Sequence, residues 1–193
     1  SDLKSFGTGF SFGASKEFND ALIIGISKAS GASELWSVNN TNDTFSEVIH
    51  GGWANIDGVN DMEQLEGLLY IGLDVSSGSP LKSYNGSSIQ DVTLLHDLSG
   101  SLKVRMVVRI ESRLYVAGNA GTDAANGDAL MYSDDRGSTW TALITKTGLN
   151  RQITQGVDSF GSLYFIIEDG FSTELWSVNN TIVTQIYRWN NLT

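Results

Sequence analysis

A short apolar pattern recurs four times along this chain and limits its fold more than any other feature. It reads Leu22-Ile23-Ile24-Gly25, Leu69-Tyr70-Ile71-Gly72, Leu114-Tyr115-Val116-Ala117-Gly118 and Leu163-Tyr164-Phe165-Ile166, with leading leucines 47, 45 and 49 residues apart. An octet also returns unchanged: Glu34-Leu35-Trp36-Ser37-Val38-Asn39-Asn40-Thr41 reappears as Glu174 to Thr181. Two identical runs of that length are very improbable by chance, so the chain is built from repeats. A period of about 45 residues filled only by strand-like segments is the pattern of four-stranded propeller blades.

Each repeat divides into strands A to D. Strand A leads to Phe18, Leu65, Ile110 or Phe160, and strand B carries the leucine pattern. Strand C aligns Trp36, Lys82, Tyr132 and Trp176, each followed by serine, and strand D covers 45–49, 91–95, 140–144 and 183–187. These segments alternate or are wholly apolar over about 4–6 residues, and none has a helical period. The expected fold is all-β: one β-propeller domain over 1–193, with four four-stranded blades at approximately 1–49, 50–95, 96–144 and 145–193. Three arrangements fit: a four-bladed ring closed on itself, part of a larger ring completed by another chain, or a fragment. An open ring exposes sheet faces and edges that partners usually cover.

One turn stands out. Ser133-Asp134-Asp135-Arg136-Gly137-Ser138-Thr139-Trp140 falls between strands C and D of the third repeat. An Asp side chain can take backbone N–H groups two residues on, Gly supplies positive φ, and an aromatic opens the returning strand. The spacing of Ser133, Asp135, Gly137, Thr139 and Trp140 resembles the Asp-box, or BNR repeat, of sialidase-like β-propellers. The other C–D turns are Asn-rich relatives at 39–44, 85–88 and 179–181. The resemblance implies that the turn braces a blade away from the ligand face, and it is nearly silent on activity. A sialidase of that family also needs an arginine triad, a Tyr–Glu nucleophile pair and an acidic Asp. The chain has six arginines (Arg105, Arg109, Arg113, Arg136, Arg151, Arg188), one of them inside the turn, and no motif places a Tyr–Glu pair.

Alternation of strand direction puts the A–B and C–D turns on one face and the B–C and D–A loops on the other. Ligands of such rings sit in the central depression of the latter face. His50 and His96 share a repeat position just after strand D, as a ligand-face pair or as turn residues; their separate blades argue against zinc. Trp53, after Gly51-Gly52, offers a ring to stack on a sugar or to pack over a blade end. Asn55, Asp57, Asn60 and Asp61 carry calcium-type oxygen chemistry without EF-hand spacing; Asp123, Asn126 and Asp128 do so more weakly. In the third strand A, Val104, Met106, Val108 and Ile110 share one face, and Lys103, Arg105 and Arg109 the other. Arg105 and Arg109 there either grip a ligand carboxylate or neutralise nearby acids. Trp36, Trp176 and Trp140 read as blade contacts.

The net charge of −10 removes non-specific nucleic-acid binding, which needs a basic footprint. No apolar run reaches the ~18 residues of a membrane span. Cysteine is absent, which excludes disulfides, thiol catalysis and Cys-based zinc sites. Five Asn-x-Ser/Thr sequons, at Asn39, Asn42, Asn85, Asn179 and Asn191, hint at an extracellular chain or reflect Asn-rich loops. No Ser/His/Asp order, phosphate loop or metal quartet appears. The expected function is a non-catalytic module at an extracellular, cell or virion surface. It would bind a glycan or a protein through its B–C and D–A loops, with calcium the one cofactor considered. The alternatives are a sialidase-like glycoside hydrolase, incomplete here or completed by oligomerisation, and a structural subunit of a surface or viral assembly. A homo-oligomer fits both alternatives.

Overall fold

The computed structural model describes residues 8–28, 32–39, 41–42, 44–48, 53–94, 102–119, 127–145, 147–148 and 150–190. His50, His96 and the Asn191 sequon lie outside the described residues. The described chain is all-β, arranged as consecutive antiparallel four-stranded units. Unit one is β1 (Phe10–Phe18), β2 (Ala21–Lys28), β3 (Ala32–Asn39) and β4 (Phe45–Glu47), with β5 (Trp53–Ala54) also paired to β3. Unit two is β6 (Ile56–Leu65), β7 (Leu68–Val75), β8 (Leu81–Tyr84) and β9 (Ile89–Asp91). Unit three is β10 (Leu102–Ile110), β11 (Arg113–Asn119), β12 (Asp128–Ser133) and β13 (Thr141–Ile144). Unit four is β14 (Gln152–Ser159), β15 (Ser162–Glu168), β16 (Ser172–Asn179) and β17 (Ile182–Asn190). A short pairing of β10 with β7, Leu102 to Val75 and Lys103 to Asp74, joins units two and three into one sheet.

Local sequence explains the hairpins. The first and second strands of each unit are joined by two residues: Asn19-Asp20, Glu66-Gly67, Glu111-Ser112 and Phe160-Gly161. Positive φ at both positions in three of them (50° and 61°, 48° and 79°, 52° and 74°) gives the turn twist that matches twisted strands. Between third and fourth strands, Asn side chains close the turns. Asn39 Oδ1 accepts from the Thr41 N–H at 2.8 Å, and Asn85 Oδ1 from the N–H groups of Ser87 and Ser88 at 2.9 and 2.8 Å.

The apolar side chains lie between the units, not within them. Alternate residues of each second strand point to opposite neighbours. Ile23 packs with Leu69, Ile71 and Leu73; Tyr70 with Leu114 and Val116; Tyr115 and Ala117 with Leu163, Phe165 and Ile167. Three cores result, each shared by two consecutive units. Glycine matters at one of these joints: a Cβ on Gly72 would stand 2.7 Å from a Val104 methyl. Hydrogen bonds cross the same joints. The Val59 N–H donates to Ser27 Oγ (3.0 Å), Asn60 Nδ2 to the Val104 carbonyl (2.8 Å), the Val107 N–H to Asp61 Oδ2 (2.8 Å) and the Ile153 N–H to Asp128 Oδ2 (2.7 Å). The leading strands β1, β6, β10 and β14 pack in that order, and among the described residues β1 and β14 do not pack on one another in the same way. The described units therefore form an open run, without the closure of a ring.

Three details depart from the sequence reading. In the third unit it is Met131, facing Val116, that matches Trp36 facing Ile24, Lys82 facing Ile71 and Trp176 facing Phe165. The serine used for alignment, Ser133, occupies the place of Val38 and Val178 because its hydroxyl is drawn into the following turn. A one-residue slip sends a side chain to the opposite sheet face. Phe160 lies in the turn, fully exposed, and does not end a strand. The fourth strand of unit two is Ile89–Asp91, earlier than expected, and that of unit four runs on to Asn190.

Candidate functional site

The loop end of the units is the end where each leading strand begins and each second strand finishes. At unit three it gathers a buried polar cluster. Arg105 sits at an irregularity in β10, between Val104 and Met106, that breaks the strict alternation. Val107 is therefore buried along with Met106 and Val108, and the guanidinium of Arg105 turns toward β12. Its Nε lies 3.2 Å from Oδ2 of Asp128, the first residue of β12, which is wholly buried. Asp128 Oδ2 also accepts the Ile153 N–H of unit four. Asn119 pairs across the ladder with both Lys103 and Asp128, and Lys103 forms an ion pair with Asp74 of unit two.

The cluster is not saturated. Arg105 Nε, Asn119 Oδ1 and Asp128 Oδ1 are buried without an aligned hydrogen-bond partner. Buried polar atoms are nearly always paired, so such a group marks a place for ordered water or a polar ligand atom. Burial pushes the Asp128 carboxyl above its ordinary range; Arg105 and the Ile153 N–H pull it down without cancelling that effect. One donor and two acceptors, fixed by strand ends, suit a hydroxylated or amide-bearing ligand. Next to this cluster, Glu174 of β16 is buried with Arg151, Arg188 and the Trp176 indole around it. Trp36 donates to Glu34 in the same way, at 2.7 Å, so the repeated octet encodes a Glu–Trp pair on one strand face.

The other sequence candidates are dispersed. Arg109 is exposed and lies toward the turn end of β10, facing Leu114, away from Arg105. Trp53 is half-buried against the core between units one and two. Asn55 has φ of 66° and its carbonyl accepts the Ser76 N–H; Asp57 is half-buried. Asn60 and Asp61 direct their side chains to the backbone of unit three. Among the described residues, no group of three or more His, Cys, Asp or Glu comes together as a metal site. Asn119 was missed by sequence reasoning, and nothing in its local sequence marks it.

The opposite end is closed by side chains. In the turn after β12, Asp135 Oδ1 accepts the Thr139 N–H (2.8 Å) and Oδ2 the Thr139 hydroxyl (2.6 Å). Ser133 Oγ donates to Asp135 Oδ1 and accepts the Gly137 N–H at 2.7 Å. These bonds hold the Asp135 carboxyl down at about 2. Arg136 and Gly137 have φ of 60° and 82°, Trp140 is buried beside unit two, and Tyr70 of that unit donates to the Arg136 carbonyl. Nearby, Arg113 forms a bidentate pair with Asp134 (2.6 and 3.0 Å), donates to the Asn180 carbonyl at 2.8 Å and stacks over Tyr132. A cleft of about 260 Å³ beside Arg113, Tyr115 and Asn180 is thus bordered by a guanidinium already engaged on both sides.

Comparison with solved structures gives the architecture. The extracellular domain of a hybrid two-component system from B. thetaiotaomicron matches with TM-score 0.67 at 15% identity, over 96% of this chain and 23% of that one. The fold is propeller-like. A GH74 enzyme of Niastella koreensis matches with TM-score 0.62 at 17% identity, over 90% of this chain and 28% of that one. A chain of a nidogen–laminin complex matches with TM-score 0.57 at 9% identity, over 95% of this chain and 81% of that one. Thus this chain spans under a third of the first two proteins. No family model and no curated protein matches. Among the described residues, no helix is long and apolar enough to cross a membrane.

Proposed function

We propose that the chain is a non-catalytic β-propeller module, contributing four blades, that acts at an extracellular, cell or virion surface. It takes a glycan or a protein partner on its loop end. The observation that carries this reading is the unsaturated cluster of Arg105, Asn119 and Asp128 beside the innermost strand of unit three. Its donors and acceptors are those that recognise sugar hydroxyls or peptide amides. Arg105 is the central contact, with Asn119 beside it; Trp53 supplies apolar area at the rim. Asp74, Asp128 and Glu174 each have a basic partner, which favours binding over acid–base chemistry. The likeness to a glycoside hydrolase and to an extracellular sensor domain is compatible with this reading, though it extends to fold alone. The turn over 133–140 takes the role of an Asp-box, bracing unit three against unit two.

The test is a glycan array probed with the wild type and with Arg105→Ala and Asn119→Ala. Each variant is expected to lose at least about tenfold in affinity, the effect of unpairing a buried polar contact, with an unchanged far-UV spectrum. Full binding by both variants removes the cluster from the site. Turnover of a glycoside panel by the wild type overturns the non-catalytic reading.

A further inference from the structure

The repeated structure makes equivalent positions directly comparable, and burial at these positions differs only at the two ends. The fourth residue of each second-strand pattern faces a leucine of the third strand: Gly25 with Leu35, Gly72 with Leu81, Ala117 with Leu130, Ile166 with Leu175. Leu35, Leu81 and Leu130 are 0% exposed, each covered by the following unit. Leu175 and Ile166 are only half-buried. The second pattern residue behaves alike: Ile23, Tyr70 and Tyr115 are buried, whereas Tyr164 is half-exposed. The same face of unit four continues outward through Val157, facing Tyr164, and Tyr187, facing Leu175, with Trp189 beside it; all three are exposed.

Unit one has the converse face open. The first and third pattern residues lie on the preceding unit: Leu69 and Ile71, Leu114 and Val116, Leu163 and Phe165, none more than 1% exposed. Leu22 and Ile24 of unit one are half-buried. The leading strands agree. Val59, Val104 and Ile153 hold matching places at the strand irregularity and are buried, while Phe12 at that place is 65% exposed.

We propose that a second copy of this chain fills both openings. The exposed face of unit four receives unit one of the partner copy, in the register of the three interior joints, and the partner's unit four receives unit one of the first. The three interior joints argue for this occupant, because each already joins one face of either kind. The octet argues for it as well. It gives unit one the same third-strand sequence that unit four uses against unit three. Unlike faces that meet head to tail close into a ring if the rotation allows, and two copies do so about a twofold axis. The new joint differs from the interior ones at one point. Phe12 and Ile166 meet where valine or isoleucine otherwise meets glycine or alanine, so two bulky side chains lie side by side.

The experiment is light scattering on a size-exclusion column over a wide concentration range in physiological salt. The wild type is expected at twice its 20.9 kDa mass. A 20.9 kDa species at every concentration overturns the proposal, and so does open-ended growth. Tyr187→Asp and Phe12→Asp sit at exposed places, and their far-UV spectra and melting points serve as the folding check. Each alone loses the closed dimer. Mixed together they recover a dimer, because one joint retains both native faces. Dimerisation of Phe12→Asp alone with loss only in Tyr187→Asp means that like faces pair, which overturns the head-to-tail arrangement. Ile166→Ala relieves the crowded point and is expected to tighten association severalfold; weaker association overturns the register.

Discussion

At the scale of single residues, two aspartates give opposite pH responses. Burial raises the Asp61 carboxyl to about 6 from an ordinary 3.8, despite the backbone N–H groups of Val107 and Met62 that it accepts. The folded chain therefore holds that proton more tightly than the unfolded chain. Its contribution is fully present below pH 3.8 and is lost as the pH rises through about 6. Asp61→Asn should flatten the stability curve across that interval, as read by urea melts at successive pH values. Asp135 runs the other way. Its contribution is present above pH 3.8 and is lost as the pH falls through about 2. Asp135→Ala should lower Tm by a few degrees, on the order expected from losing local turn bonds in a chain of this size. An unchanged Tm would show that the Thr139 and Ser133 bonds do not brace the turn. Gly72→Val places new carbons against Val104, and overpacking of this kind costs about 1–3 kcal/mol, measurable by the same urea melts.

The elements show how much could be read from the sequence. The leucine pattern placed all four second strands, because an apolar run bounded by turns is a local property. The hairpin turns were equally readable from Gly67, Gly161 and the Asx pair at 19–20. Register in unit three was not readable. Ser133 matches the serines of other repeats by identity, but its hydroxyl belongs to a turn that those repeats lack, so the ladder slips by one. The candidate site was half visible. Arg105 was singled out, yet its turn toward Asp128 depends on a strand irregularity, and Asn119 joins it only through cross-strand pairing. The repeated leucine offers a direct test of where the cores lie. Leu130→Ala, within a covered joint, should cost about 2–5 kcal/mol, while Leu175→Ala at the open end should cost clearly less in the monomer. Equal losses would mean that each unit keeps a core of its own.

For the whole molecule, the placing of cores and cross-unit hydrogen bonds between neighbours has a consequence for how the chain comes apart. Units two and three each have a neighbour on both sides, and units one and four on one side only. Stability in such an array is close to a sum of nearest-neighbour terms. Native-state hydrogen exchange should therefore be slowest in β7 and β11 and faster in β2 and β15, although all four strands carry the same pattern and full ladders. Uniform protection would show a single cooperative block. With the expected gradient, the protein unravels from its two ends like a frayed rope, and anything that grips unit one or unit four acts as a whipping on the cut end. A partner bound there would slow exchange in strands it never touches.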